Sequence, residues 1–580
     1  MVSSIPLLWP PPSPIFPRAG PKSSINVLPD DVLLEVFDFC RLDNVFAWNH
    51  ERWYKLVHTC RRWRHIIFSS PSRLDLQLSC TYGTPVADML SHSPPLPLIV
   101  DYSGRRLLST KDEEGAFLAL QNHNRVRDIH LYASIVSLDK LLAVMNGPFP
   151  VLEDLELTRA IGYSDADEDE EDEDDEFNCP RLPQAFQAPQ LRHLCLDRVG
   201  DVIEEGLPLL TSLSGLVSLF LIGIPFSIYL PLEYLASRLS LMPQLECLGL
   251  KFDFSAPSDD ILGEQIDVPN AKRISFPNLS EIFFEGDSSY LEGLAARISA
   301  PLLMRFSAMF FEKPSSSTLS HLSGLLSAAA ELRFPVASIK FSGTRVDDPN
   351  VAICMASSEQ TLDWLPQFAP FQMAFWCRSL NVQVASAGQI CTAFTPMLSA
   401  VERLRLDFDG GRWQFGQDGD IEDAMWHDLL RPFCNVEKLQ VDAGLMGDLS
   451  RALCPDDDGQ SMEMLPQLYK LVRPDYAHFG DAFDKFIAAR RDAGQHITKR
   501  RRPPIPNSDS EEEEDNEDED ESDSEEDKEE EGRVECAVGG RREGEGSNPD
   551  TDTETDRDPG TNDNLEISTE LDSDSDFDSE

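Results

Sequence analysis

Carboxylates are by far the commonest side chains here with acid–base capacity. There are 102 Asp and Glu against 50 Lys and Arg in 580 residues, a formal net charge of -52. General acid–base chemistry needs such groups held in pairs at fixed geometry. Much of the excess instead sits in two low-complexity runs, Asp165 to Glu176 and the stretch from Asn507 to the end, the latter with 34 acidic and 5 basic residues. These runs have almost no aliphatic or aromatic content with which to fix a geometry, and they are expected to be disordered. The 11 histidines and 12 cysteines include no C-x-x-C pair and no metal-ligand spacing. G-x-x-x-x-G-K-[ST], H-E-x-x-H and G-x-S-x-G are all missing. The expectation is a non-enzymatic binding chain with no cofactor and no metal.

Scattered cysteines in a chain this long read as reduced thiols in the cytoplasm or nucleus. The first 24 residues are proline-rich and carry no signal-peptide pattern. Leu207 to Leu232 is uncharged and long enough to span a bilayer. Pro208, Pro225 and Pro231 argue against a span, as does a repeat that runs through it.

That repeat organises residues 73–498. An apolar residue is followed by two variable positions, a second apolar residue, one variable position and a third. Val126-x-x-Ile129-x-Leu131 and Leu152-x-x-Leu155-x-Leu157 conform, and so do copies beginning at Leu191, Leu216, Leu245, Leu279, Val336, Val401 and Val436, with a weaker one at Leu303. All but one pair of neighbouring copies lie 24 to 39 residues apart, several preceded by Phe-Pro, Ala-Pro or Met-Pro. The alternating end of each copy suits a short strand with one face buried. Helix-like stretches such as Leu230 to Leu241 and Tyr290 to Ile298 fall between copies. One strand and one helix cannot bury their apolar sides alone, but stacked units can, so the pattern predicts an α/β solenoid. It resembles irregular leucine-rich repeats, a horseshoe with strands on the inner wall, although the asparagine that usually follows the strand is missing. The acidic loop 162–179 falls between two copies.

Residues 25–72 differ. Leu28-Pro29-Asp30-Asp31 opens a helix with proline in the first turn and acids at the positive end of the dipole. Val32, Leu33, Val36, Phe37 and Cys40 then form an apolar stripe at helical spacing. A second helix is expected to carry Leu56, Cys60, Trp63 and Ile67. With Val57-x-x-Cys60-Arg61-Arg62-Trp63-Arg64 closing the segment, these residues resemble an F-box, an all-α module. An F-box followed by leucine-rich repeats is similar to the substrate receptors of cullin–RING ubiquitin ligases of the SCF type. The resemblance implies a ligase adaptor subunit and cullin as partners, with Leu28, Pro29, Val32, Leu33, Val36, Phe37, Cys60 and Trp63 as adaptor contacts. It also implies an unknown protein substrate held by the repeats. The chain is expected to be a monomer within a larger complex, without nucleic-acid or membrane partners.

If strands line an inner wall, the variable residues between apolar ones point into it. Tyr132, His193, Phe283, Arg403 and Arg405 are the leading candidates for substrate contact, because aromatics and arginine dominate binding hot spots. Residues 499–580 read as a disordered basic cluster and acidic tail. Lys499 to Arg502 resembles a nuclear localisation signal, and Ser508, Ser510 and Ser522 resemble acidophilic kinase sites. Two rival readings stand beside the ligase receptor: an F-box scaffold that delivers nothing, and an acidic histone-binding or chaperone-like nuclear protein acting through its tail.

Overall fold

The computed structural model describes residues 25–41, 52–104, 108–160, 180–199, 214–224, 231–253, 273–314, 319–342, 351–364, 369–377, 379–409, 421–454, 464–473 and 481–501. The proline-rich start, the acidic loop 162–179 and the acidic tail lie outside them.

The described part is a mixed α/β unit built on one large, mostly parallel sheet. Its strands are β1 (Leu78–Cys80), β2 (Leu98–Tyr102), β3 (Val126–Ala133), β4 (Asp154–Arg159), β5 (His193–Asp197), β6 (Ser218–Ile224) and β7 (Cys247–Phe252). After a short side strand, β8 (Ile274–Ser275), come β9 (Glu281–Gly286), the side strand β10 (Ile298–Ser299) that pairs with β8, and β11 (Arg305–Phe310). The rest are β12 (Val336–Ser342), β13 (Val351–Ala356), β14 (Phe371–Phe375), β15 (Arg403–Asp409), β16 (Lys438–Val441), β17 (Lys470–Arg473) and β18 (Thr498–Arg501). The 16 strands of the large sheet lie in the order β1-β2-β3-β4-β5-β6-β7-β9-β11-β14-β13-β12-β15-β16-β17-β18.

All ten copies of the sequence repeat fall on strands of this sheet. The reason is local. Phe149-Pro150-Val151-Leu152 makes a turn in which the Leu152 N–H donates to the Phe149 carbonyl at 3.3 Å. The same turn recurs at Ala188–Leu191, Met242–Leu245, Ala300–Leu303 and Leu465–Leu468, each with proline in the second place. Proline's fixed φ suits that position. The next apolar residues, Leu155 and Leu157 on β4 or Leu194 and Leu196 on β5, then enter the core on alternate positions. The register keeps them in rows: Ile129, Leu155, Leu194, Leu219, Leu248, Ile282 and Phe306 are successive partners across seven strands. Helices such as Leu232–Leu239, Ser288–Arg297 and Leu380–Ala393 close over these rows, burying Leu235, Leu291 and Ile390. Each strand thus contributes two or three buried side chains at about 1.5–3 kcal/mol each, gross.

The structure departs from one strand per repeat in the middle. After β11 the chain makes β12 three places further along, then doubles back through β13 and β14 to fill the gap. β13 runs antiparallel to both neighbours. β13 does not carry the repeat pattern; β14 does, as Phe368-x-x-Phe371-x-Met373, a copy not counted among the ten. The short helix Glu359–Trp364 between them packs on the opposite face of the sheet, where Leu362 and Ala369 join Val336, Cys354 and Ala356 in a second small core.

Two boundaries move. The sheet continues through Arg501, so Lys499–Arg501 belongs to an edge strand and not to the tail as expected; Leu471 and Val472 of β17 pair with Lys499 and Arg500. Charged side chains on an outer strand discourage pairing with another sheet edge. In addition, the second helix of the N-terminal segment is two helices. Within the uncharged stretch from Leu207 to Leu232, Ser218–Ile224 is β6, and among the described residues no helix is long and apolar enough to cross a membrane.

Candidate functional site: an apolar helix stripe and an open sheet face

The N-terminal segment folds as α1 (Asp30–Arg41), α2 (Arg52–Val57) and α3 (Arg61–Ser69). Cys60 separates α2 from α3: it is extended (φ -159, ψ 166), and its sulfur accepts a hydrogen bond from the Trp63 N–H as the cap of α3. Arg62 ties α3 to the start of α1, donating to the Leu28 carbonyl at 2.6 Å and to the Asp30 carboxylate at 2.5 Å. Arg73 also reaches Glu35 on α1. Leu33, Phe37, Val57, Ile66 and Ile67 are buried, and they share one core with Leu74, Leu76 and the strands. The Phe37 ring meets Trp63 edge-on at 5.0 Å.

This packing divides the expected adaptor contacts. Leu33 and Phe37 are 0% and 3% exposed, so they hold the module together and have no surface to offer a partner. Trp63 is half-buried against Phe37, and Cys60 is spent on the cap. Pro29 is exposed. Leu28, Val32 and Val36 are exposed as well, and with Phe39 at 67% they form a stripe spaced four, four and three residues apart. Ile25 and Val27, also exposed, extend it. The sequence reading merged two faces into one. Successive helix positions are about 100° apart, so Val32 and Leu33 cannot both face a single neighbour. The spacing 28, 32, 36, 39 was the signal for the outer stripe.

The second surface is the sheet face opposite the main helix layer. Its rows run Asp128, Asp154, His193, Ser218, Cys247, Glu281, Arg305 and, one step on, Asp101, His130, Glu156, Cys195, Phe220, Gly249, Phe283, Ser307. All five expected substrate contacts lie on this face. They do not form one site. Tyr132 is on β3, His193 on β5, Phe283 on β9, and Arg403 and Arg405 on β15. Ten strand spacings of about 4.8 Å separate β3 from β15.

Charge is graded along the face. Asp101, Asp128, Asp154, Glu156 and Asp197 occupy β2 to β5, where these rows hold no Lys or Arg on the same four strands, although Arg198, just past β5, lies 3.6 Å from the Asp197 carboxylate. Burial and the neighbouring Asp154 push the Asp128 carboxyl above its usual range, although Arg127 opposes this. Asp197 is likewise raised, by burial and to a lesser degree by Asp253, against the opposing Arg198 at 3.6 Å. His130 lies 3.4 Å from Asp154. Burial works against its charged ring, but the bond to Asp154 and the fields of Asp154, Glu156 and Asp101 outweigh that and raise it. At the other end Arg403, Lys438 and Lys470 stand in one row, where Glu359 takes Lys438 at 2.7 Å and Arg403 at 3.7 Å. Partial burial and the crowding of Lys438 and Arg500 pull the Lys470 amine below its usual value. Arg405 is held by Asp407 at 2.6 Å.

Between the charged ends lies an aromatic plate that the sequence reading found only in part. The Phe220 and Phe283 rings are 5.7 Å apart and both are partly exposed. Gly249 sits between them, and a Cβ there would lie 2.1 Å from the Phe220 ring. Glycine is thus the residue that lets Phe220 lie across the strand. Arg305 stacks on Phe283 from the other side, 5.2 Å from the ring centre. Phe220 occupies the same variable position of its repeat as Phe283, which is the signal that could have found it.

No family model matches the chain, and no curated protein matches it.

Proposed function

We propose that the chain is the substrate-recognition subunit of an SCF-type cullin–RING ubiquitin ligase, with α1–α3 acting as an F-box and the strand-and-helix repeats as irregular leucine-rich repeats. The α1 stripe docks the adaptor subunit, and the open sheet face holds the target. The chain makes and breaks no bond itself; it raises the concentration of target beside the ligase.

The single observation carrying this reading is the exposed set Val32, Val36 and Phe39 on α1, with Leu28 just before it, on a helix whose other apolar side is already buried. Contiguous apolar surface on a rigid helix marks a partner site, and an amphipathic helix in a groove is a common mode of recognition. The order of elements supports the same division of labour, because the recognition face follows the docking helices in a continuous core.

Affinity capture of the full chain from cells should bring down the adaptor and a cullin. Val36→Asp should abolish both while leaving the chain folded. Recovery of neither from the wild-type chain, or equal recovery with the Asp variant, would overturn the proposal.

A further inference from the structure

We infer that the plate of Phe220, Gly249 and Phe283 and the carboxylates beside it bind a lysine- or arginine-rich protein segment that carries an apolar side chain. The inference names the chemistry of the partner and rests on the reading of this face as the one that holds a target. Three observations on different strands support it. The two rings stay partly exposed among small residues, Cys195, Ser218, Cys247 and Ser307, so an incoming apolar group meets aromatic surface, with Arg305 already over the Phe283 ring. Gly249 is shaped to this arrangement, since any larger residue would displace Phe220. The five carboxylates of β2 to β5 begin one strand from Phe220, and although burial opposes a charged ring at His130, the bond to Asp154 and the fields of Asp154, Glu156 and Asp101 raise it, which marks this end of the face as acidic.

The geometry also limits the occupant. From Asp128 on β3 to Phe283 on β9 is five strand spacings, about 24 Å, or roughly seven residues of extended chain. A segment with its basic residues toward β3 and an apolar one some five to seven residues away fits that span. Nucleic acid does not, because a polyanion would face the five carboxylates of β2 to β5, which outnumber the nearby cations Arg127 and Arg198. Charge supplies approach rate and register, and the aromatic contact supplies residence.

The test uses the full chain and a synthetic 12-residue peptide with four lysines followed by one photoreactive benzoyl-phenylalanine. Cross-linked residues are read by mass spectrometry at 150 mM salt. Cross-links should fall on β6, β7, β9 and β11, around Phe220, Phe283 and Met309. Phe283→Ala should reduce them roughly tenfold or more. Glu156→Lys, a half-exposed position that does not threaten folding, should reduce them and flatten their salt dependence. Cross-links confined to the acidic runs 165–176 and 507–580 would overturn the inference, as would yields that both variants leave unchanged, or equal labelling by a peptide with glutamates in place of lysines. Adaptor capture measured on the same variants keeps the two proposals apart: intact capture with no cross-linking to the plate sinks this one alone.

Discussion

Phe37 and Phe39 are two residues apart on α1 and face opposite ways, which makes them a sharp test of how the helix divides its labour. Phe37 is 3% exposed and packs edge-on against Trp63, so Phe37→Ala removes a core ring. Such truncations cost about 3–5 kcal/mol. Phe39 is 67% exposed, so Phe39→Ala should change the stability of the free chain by no more than about 0.5 kcal/mol. The same exposure means that about two-thirds of its burial is still to be gained on docking. Full burial of a phenylalanine is worth about 1.5–3 kcal/mol, which leaves about 1–2 kcal/mol for the adaptor, or roughly 5- to 30-fold in affinity. Urea unfolding and calorimetric titration of purified adaptor into the full chain measure both quantities on the same samples. Phe39→Ala should keep the wild-type urea midpoint and bind 5- to 30-fold more weakly, whereas Phe37→Ala should lose stability first. Wild-type affinity for Phe39→Ala, or a shared loss of stability in both variants, would refute the division.

Two further expectations concern the scaffold. Glu292, buried on the helix Ser288–Arg297, caps the neighbouring helix Ser320–Ala328: its carboxylate accepts the His321 N–H at 2.5 Å and the Leu322 N–H at 2.8 Å. Glu292→Ala strands both donors and should cost about 2–3 kcal/mol in urea unfolding, with Glu292→Gln recovering part of it; an unchanged midpoint would show the cap to be idle. His130 titrates above its ordinary value because its gains from Asp154, Glu156 and Asp101 exceed the cost of burial. Its contribution to stability is therefore complete below about pH 6.5 and lost as pH rises through the folded value. Asp154→Asn should lower the midpoint read from the imidazole proton resonances, and an unmoved midpoint would contradict the pairing.

The repeat was legible because each copy sets apolar residues at alternate positions and several add a proline turn before them, so Leu152, Leu155 and Leu157 announce β4 without tertiary information. β13 was not, because Val351–Ala356 reads as an apolar run, and β14, although Phe368-x-x-Phe371-x-Met373 fits the repeat, takes a place that depends on the vacancy that β12 leaves beside β11. The basic cluster misled in the other direction. Lys499 and Arg500 look like solvated tail, yet Ile497 is buried and β17 supplies backbone partners, so the sheet extends one strand further. At the candidate docking site, the apolar composition of α1 was plain, but which residues faced inward depended on Trp63 and Ile67 of α3. On the sheet face, Phe283 was found and Phe220 missed, since sequence alone does not show that Gly249 leaves room for one ring to reach the other.

Hydrogen exchange of the full chain, with and without purified adaptor, tests the central claim most directly. Slowed exchange should concentrate in residues 25–39 on α1 and its approach, with β6 to β11 unaffected. Protection that appears only elsewhere, or none at saturating adaptor, would contradict the assignment of the Leu28–Phe39 stripe as the docking surface.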